Sequence, residues 1–253
     1  TILVDHDPAA QSLVVEDDGC GLDDFQKLLT FNESGWDAAT RDAEQPFGVG
    51  FSKCLYAARR CIVTSGLRSV DIDTAAALAK APIDVHAVAP DLAVFGTRVE
   101  LHGVHLPELP LRIEGLCQGF AVPVVFNGRP LARDLAESRL AMCQTAIGQV
   151  HLAGLDDGHF GRDSIVFLQG LCVLRPAYFT AERLNVVHLD PRQFVARLPD
   201  RDKLIDEDLQ RQRIDAELKA CWRSALQEAK ARLAPQRFVE LYYPAMRGWQ
   251  QLD

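Results

Sequence analysis

Three glycine-bearing turns, each set at the end of a strand or the start of a helix, constrain this chain more than any other feature. The first is Asp17-x-Gly19-x-Gly21, directly after the strand-like run Ser12-Leu13-Val14-Val15-Glu16. A carboxylate at a strand end can accept a hydrogen bond from an exocyclic amine, and glycines let the backbone approach a flat ring closely. The second is Phe47-Gly48-Val49-Gly50-Phe51-Ser52, ahead of a helix read over 52–60. Glycines at a helix N-terminus leave backbone N–H groups open, and the helix dipole favours an anion there. The third is Phe95-Gly96-Thr97-Arg98-Val99-Glu100-Leu101, where Gly-Thr enters a strand and can set a hydroxyl into a pocket. Each turn is commonplace by itself. The second is not a Walker P-loop, because no Gly-Lys-Ser/Thr follows at the required spacing. Nor is it a Rossmann fingerprint, because the third glycine is missing.

Between and beyond these turns the pattern alternates strands and helices. Thr1-Ile2-Leu3-Val4 reads as a strand already in progress, Asp5-His6-Asp7 as a turn ahead of Pro8, and 22–31 as a short helix. Residues 32–46 are polar, contain Gly35 and Pro46, and read as a mobile loop; Glu33 and Asp37 within it read as solvated carboxylates. Strands are read at 61–65, 69–74, 85–89 and 97–102, a helix at 109–118, and a β-rich run at 121–126 that ends in an Asn127-Gly128 turn. Further strands are read near 147–152, 164–168, 171–174, 185–189 and 193–198. A long helix over 202–233 carries Leu204, Leu209, Ile214, Leu218, Trp222, Leu226 and Leu233 on one stripe, and Pro235 ends it. The aromatic-rich tail beyond it reads as the start of a further region.

Charge and cysteine usage narrow the function classes. A net charge of −8 does not attract phosphate backbones in bulk. Seven cysteines without a Cys-x-x-Cys pair speak against a disulfide framework or zinc site, and reduced thiols in a cytoplasm are the simplest account. The histidines show no ligand spacing. Apolar runs fall short of the ~18 residues a membrane span needs.

The order and spacing of the three turns resemble the GHKL superfamily. That superfamily includes the ninety-kilodalton heat-shock chaperone, the MutL mismatch-repair proteins, type II topoisomerase ATPase subunits and sensor histidine kinases. The run from Gln45 to Ser52 is most similar to the chaperone version, and 55–65 also looks alike. The resemblance covers roughly residues 1–130. It implies a Bergerat-type two-layer α/β sandwich over 1–133, a smaller transducer-type α/β domain over 134–201, and a long helix opening the region 202–253. It also implies ATP as ligand, with Mg²⁺ held mainly by phosphates and waters. Asp17 would then bind the adenine amine, with Gly19 and Gly21 lining the base. Gly48 and Gly50 would face the phosphates, with Phe47, Val49 and Phe51 beside them. Thr97 would support the adenine contact through a water, and 32–46 would be the lid.

The family's first motif, a helix supplying a water-activating Glu and a Mg²⁺-holding Asn, has no counterpart before Asp17. The general base is therefore expected upstream of residue 1. In several branches of the family a basic side chain of the second domain reaches the γ-phosphate, and Arg192 and Lys203 are the two candidates for it here. The resemblance implies a slowly hydrolysing conformational switch in a cytoplasmic protein, acting on a protein client and dimerising when ATP binds. The rivals are a nucleotide sensor without hydrolysis and an ATPase subunit acting on DNA.

Overall fold

The computed structural model describes residues 1–30, 38–44, 50–155, 157–158, 160–176, 183–197 and 201–251. The chain divides into two compact units, Thr1–Cys117 with Val122–Ala132, and Gln118–Ala121 with Arg133–Asp253. Both are mixtures of sheet and helix, so the α/β class read from the sequence is the class observed.

The first unit is built on an eight-stranded sheet. Its strands are β1 (Ile2–Asp7), β2 (Ser12–Asp17), β3 (Arg60–Gly66), β4 (Arg68–Asp73), β5 (Val85–Ala87), β6 (Val94–His102), β7 (Val124–Phe126) and β8 (Arg129–Pro130). They lie in the order β5-β4-β3-β6-β2-β1-β7-β8, and pair antiparallel except for β1 with β7. Side chains alternate across a strand, so register fixes the faces. Leu13, Leu101 and Cys61 form one row across β2, β6 and β3, and Val15, Val99 and Val63 form the next. Cys61, Val63 and Leu101 are buried there with Val70 and Ile72 of β4. Helix α2 (Gly50–Ala57) and the 3-10 turn Phe25–Leu28 cover this face with Leu55 and Phe25.

The opposite face of the same strands carries charge. Arg98 bridges Glu16 across to β2 at 3.3 Å and Glu100 along its own strand at 3.0 Å. Arg60 of β3 pairs with Asp71 of β4. One face is therefore helix-covered and the other polar, the usual division of an antiparallel sheet.

Several local readings differ from what the chain does. Asp5-His6-Asp7 continues β1, because its residues pair with Ser12–Val14 of β2. The 22–31 helix shortens to the 3-10 turn capped by Asp24, whose side chain accepts from Gln26 N. Residues 32–46 are not all loop. Ala38–Glu44 forms helix α1 from good helix formers, and the rest of that stretch lies outside the described residues. Between β4 and β5, Thr74–Leu78 forms helix α3, capped by the Asp73 carboxylate. Helix α4 (Leu109–Cys117) and the Asn127-Gly128 turn fall where the pattern places them; both turn residues have positive φ (46° and 76°), as a two-residue hairpin requires.

In the second unit, β9 (Cys143–Thr145), β10 (Gly148–His151), β11 (Ser164–Leu168), β12 (Leu171–Leu174) and β13 (Asn185–Leu189) lie in the order β12-β11-β13-β10-β9. The runs Ile165–Leu168 and Val186–Leu189 are buried on both faces, which is why they read as unbroken apolar stretches. Helices α5 (Glu207–Arg232) and α6 (Pro235–Gly248) pack Ile214, Leu218, Trp222, Leu226, Phe238 and Tyr242 into one core with Val150, Val166 and Val187. Asn185 braces that core. Its Oδ1 accepts from Ala153 N and Trp222 Nε1, both at 3.2 Å, and its Nδ2 donates to the carbonyls of Gly161 and Asp163.

The long helix starts later than read, at Glu207, because Arg201 and Asp206 both adopt left-handed φ. Leu204 is buried but precedes the helix, and Leu209 is 62% exposed, so the buried stripe is shorter than the sequence pattern. The expected strand at 193–198 is only a bridge between Ala196 and Leu204. Pro235 does end α5, but it also opens α6 as its first residue, a position that needs no N–H.

Candidate functional site

The first and third glycine turns meet at one end of the first unit's sheet. β6 lies between β2 and β3, and its register pairs Thr97 with Asp17 on one side and with Ser65 on the other. Asp17, Thr97 and Ser65 thus form the next row on the helix-covered face, above the Val15, Val99 and Val63 row. The apolar core ends there and polar side chains begin.

Glycine makes this junction possible. Gly96 has φ +95°, and a Cβ on it would lie 2.1 Å from the Asp17 carbonyl oxygen and 2.9 Å from Gly19 N. Gly21 has φ +74°, and its Cβ would lie 2.6 Å from the Ser65 hydroxyl and 3.1 Å from the Gly96 carbonyl oxygen. Both conformations are ones L side chains rarely adopt. Backbone from the two turns is packed too closely for any other residue.

Ser65 fastens the two turns together. Its hydroxyl donates to the Gly96 carbonyl at 2.6 Å and accepts from Leu22 N at 2.8 Å. At 3% exposure it is buried, while Asp17 and Thr97 are half-exposed and Gly19 is open. Asp17 is held by its own turn: Oδ1 accepts from Gly19 N at 2.8 Å. That bond fixes the carboxylate's plane and gives one oxygen a backbone partner. The arrangement can therefore offer an oriented carboxylate oxygen and a threonine hydroxyl, side by side, above a floor of glycine backbone.

Sequence reasoning singled out Asp17, Gly19, Gly21 and Thr97, and these are brought together. It passed over Ser65, which only the pairing of β3 with β6 places beside them. The signal available was a hydroxyl residue ending an otherwise apolar strand. Ser65→Ala removes the hydroxyl from the buried Gly96 carbonyl and from the half-buried Leu22 N–H. It is expected to destabilise the unit by about 2 kcal/mol, readable in a thermal melt.

The second glycine turn is described only in part. Phe47, Gly48 and Val49, like Glu33 and Asp37, lie outside the described residues. Gly50 opens α2, where a Cβ would meet nothing within 4 Å, and Phe51 packs against the core cluster of the first sheet.

The two candidate phosphate cations both belong to the second unit. Arg192 holds Asp190 through two bonds, Nε to Oδ1 at 3.0 Å and Nη2 to Oδ2 at 2.9 Å. Those bonds outweigh desolvation and keep the Asp190 carboxyl down at about 2. Lys203 is exposed, in the segment whose carbonyl accepts from Arg197 N at 2.7 Å. Among the described residues no group of three His, Cys, Asp or Glu side chains could hold a metal ion. No helix among them is long and apolar enough to cross a membrane.

No family model matches the chain, and no curated protein does. Among solved structures it is similar to the ATPase and transducer domains of DNA topoisomerase II from Balamuthia mandrillaris. There the identity is 12% and the TM-score 0.42, over 68% of this chain and 54% of that one. It is also similar to the ATPase region of Saccharomyces cerevisiae topoisomerase II, at 11% identity and TM-score 0.41, over 68% of this chain and 56% of that one. The chain thus spans about half the length of the solved chains it matches.

Proposed function

We propose that the first unit is an ATP-binding module of the GHKL, Bergerat-type kind, and that adenine sits on the Asp17, Thr97 and Ser65 row. The observation that carries this reading is the convergence of the Asp17-x-Gly19-x-Gly21 turn and the Gly96-Thr97 step on one face of three adjacent strands. In this reading the free oxygen of the Asp17 carboxylate accepts from the exocyclic amine of adenine, and Thr97 supports the base through a water. Gly19 and Gly21 give the ring a flat approach. The triphosphate runs toward the start of α2, with Gly48 and Gly50 facing it and Phe47, Val49 and Phe51 beside it, where N–H groups and the helix dipole favour negative charge. Residues 32–46 act as the lid. Mg²⁺ arrives with the phosphates and is held mainly by them and by water.

The reading extends to a slow, switch-like ATPase. Lys203 or Arg192 of the second unit supplies charge at the γ-phosphate. Arg192 is already bound to Asp190, which favours Lys203. The output is a change of shape passed to a protein client, with ATP-dependent pairing of two copies as the natural form of such a switch.

Calorimetric titration of the chain with ATP and ADP in Mg²⁺ tests the proposal. Saturable binding of both nucleotides is expected. Absence of heat, together with failure to compete for a fluorescent ATP analogue, would overturn it.

A further inference from the structure

The second unit holds a cavity of about 560 Å³ at the edge of its sheet, walled by β9 and β10 on one side and α5 on the other. Two of its lining residues are thiols. Cys143 belongs to β9, the last strand of the sheet, and Cys221 belongs to the middle of α5. They are 78 positions apart in sequence, so neither spacing nor motif connects them; the packing of α5 across the sheet edge does.

We propose that Cys143 and Cys221 are a reversible redox pair, oxidised to a disulfide that ties the edge strand to the helix.

Three observations support this. Both side chains border the same cavity, through which a small oxidant reaches them. Cys143 is exposed, and its thiol donates to the Val150 carbonyl at 3.1 Å, which keeps its sulfur beside that wall. Burial chiefly, with the neighbouring Cys143 and Glu217 adding to it, lifts the Cys221 thiol to about 11. Other cysteines are placed differently. Cys61 is 0% exposed in the first core and Cys117 is also buried. Cys20 and Cys54 are exposed, and the sulfur of Cys172 is turned to the Leu174 carbonyl.

The chemistry orders the two sulfurs. Cys143 is exposed and Cys221 half-buried, so Cys143 meets the oxidant first. With a hydroperoxide as oxidant, the Cys143 thiolate attacks one peroxide oxygen. The O–O bond breaks, Cys143 becomes a sulfenic acid, and the leaving oxygen departs as water or alcohol after taking up a proton. The Cys221 sulfur then attacks the Cys143 sulfur. The S–S bond forms, the S–O bond breaks, and hydroxide leaves as water with the Cys221 proton. Two thiols lose two electrons and two protons, and one peroxide is reduced. A reducing thiol reverses the step by exchange.

The test is peptide mass mapping of the whole chain after brief treatment with hydrogen peroxide, without reduction. The expected result is a linked pair of peptides containing Cys143 and Cys221, lighter by two hydrogen atoms and separated by dithiothreitol. Cys221→Ser should leave a Cys143 sulfenic acid that dimedone traps, and Cys143→Ser should yield no such cross-link. The linked chain should also unfold several degrees higher, because the bridge closes a long loop. If Cys143 over-oxidises in the wild type while Cys221 remains free to alkylate, or if the two are linked to other cysteines instead, the pairing is wrong.

Discussion

Asp17→Asn is expected to weaken ATP binding by about 100-fold while leaving the unfolding midpoint close to that of the wild type. The reason lies in the hydrogen bond that Asp17 already makes. Its Oδ1 accepts from Gly19 N at 2.8 Å. An asparagine must keep its oxygen toward that N–H, because the alternative sets two donors against each other. Its NH₂ then faces the ligand, where an adenine amine is also a donor. The substitution removes a charge-assisted bond and replaces it with a donor–donor contact. Charge-assisted bonds contribute about 1.5–3 kcal/mol, and the clash adds to the loss. Asp17 sits at the half-exposed end of β2, so the sheet itself loses little. Paired titrations and thermal melts of the two chains check both halves of the expectation. A variant that binds ATP as the wild type does would take the adenine contact away from Asp17.

Gly96→Ala should lose binding and stability together. Its Cβ would be placed 2.1 Å from the Asp17 carbonyl oxygen and 2.9 Å from the Asp17 carbonyl carbon. Those atoms are backbone of the neighbouring strand, so no side chain can rotate away to make room. Positive φ adds strain of about 1–3 kcal/mol for an L residue. Relief requires β2 and β6 to part at the end where Asp17 faces Thr97. We expect a loss of at least about 3 kcal/mol, with ATP binding reduced beyond detection. Gly115→Ala in α4 is the matched comparison. A Cβ there meets nothing within 4 Å, and replacing a helical glycine stabilises by roughly 0.5–1 kcal/mol. Urea unfolding of both variants separates the two outcomes; a Gly96→Ala chain as stable as wild type would show that the close approach is not needed.

These contrasts also mark what could be read from the residues alone. Asp17, Gly19, Gly21, Gly96 and Thr97 were legible because turn chemistry is local: a carboxylate or hydroxyl beside glycine at a strand end announces itself within five residues. Their meeting was not legible from turn chemistry, because β6 pairs with strands that lie some 30 and 80 positions before it. Ser65 is silent in the sequence for the same reason. It acts only through the strand that β6 sets beside it. In the second unit the buried strands Ile165–Leu168 and Val186–Leu189 declared themselves as apolar runs, whereas Asn185 declared nothing, since its four partners come from three separate segments. The start of α5 was misplaced because periodicity registers Leu204 and Leu209 equally and cannot see the left-handed φ of Asp206.

The proposed adenine site is the Asp17, Thr97 and Ser65 row. Hydrogen exchange with and without ATP in Mg²⁺ reads that place directly. Slowed exchange is expected over 17–22 and 94–98, present in the wild type and absent in Asp17→Asn. Exchange that is unchanged in those two segments while ATP is bound, or equally slowed in Asp17→Asn, would contradict it.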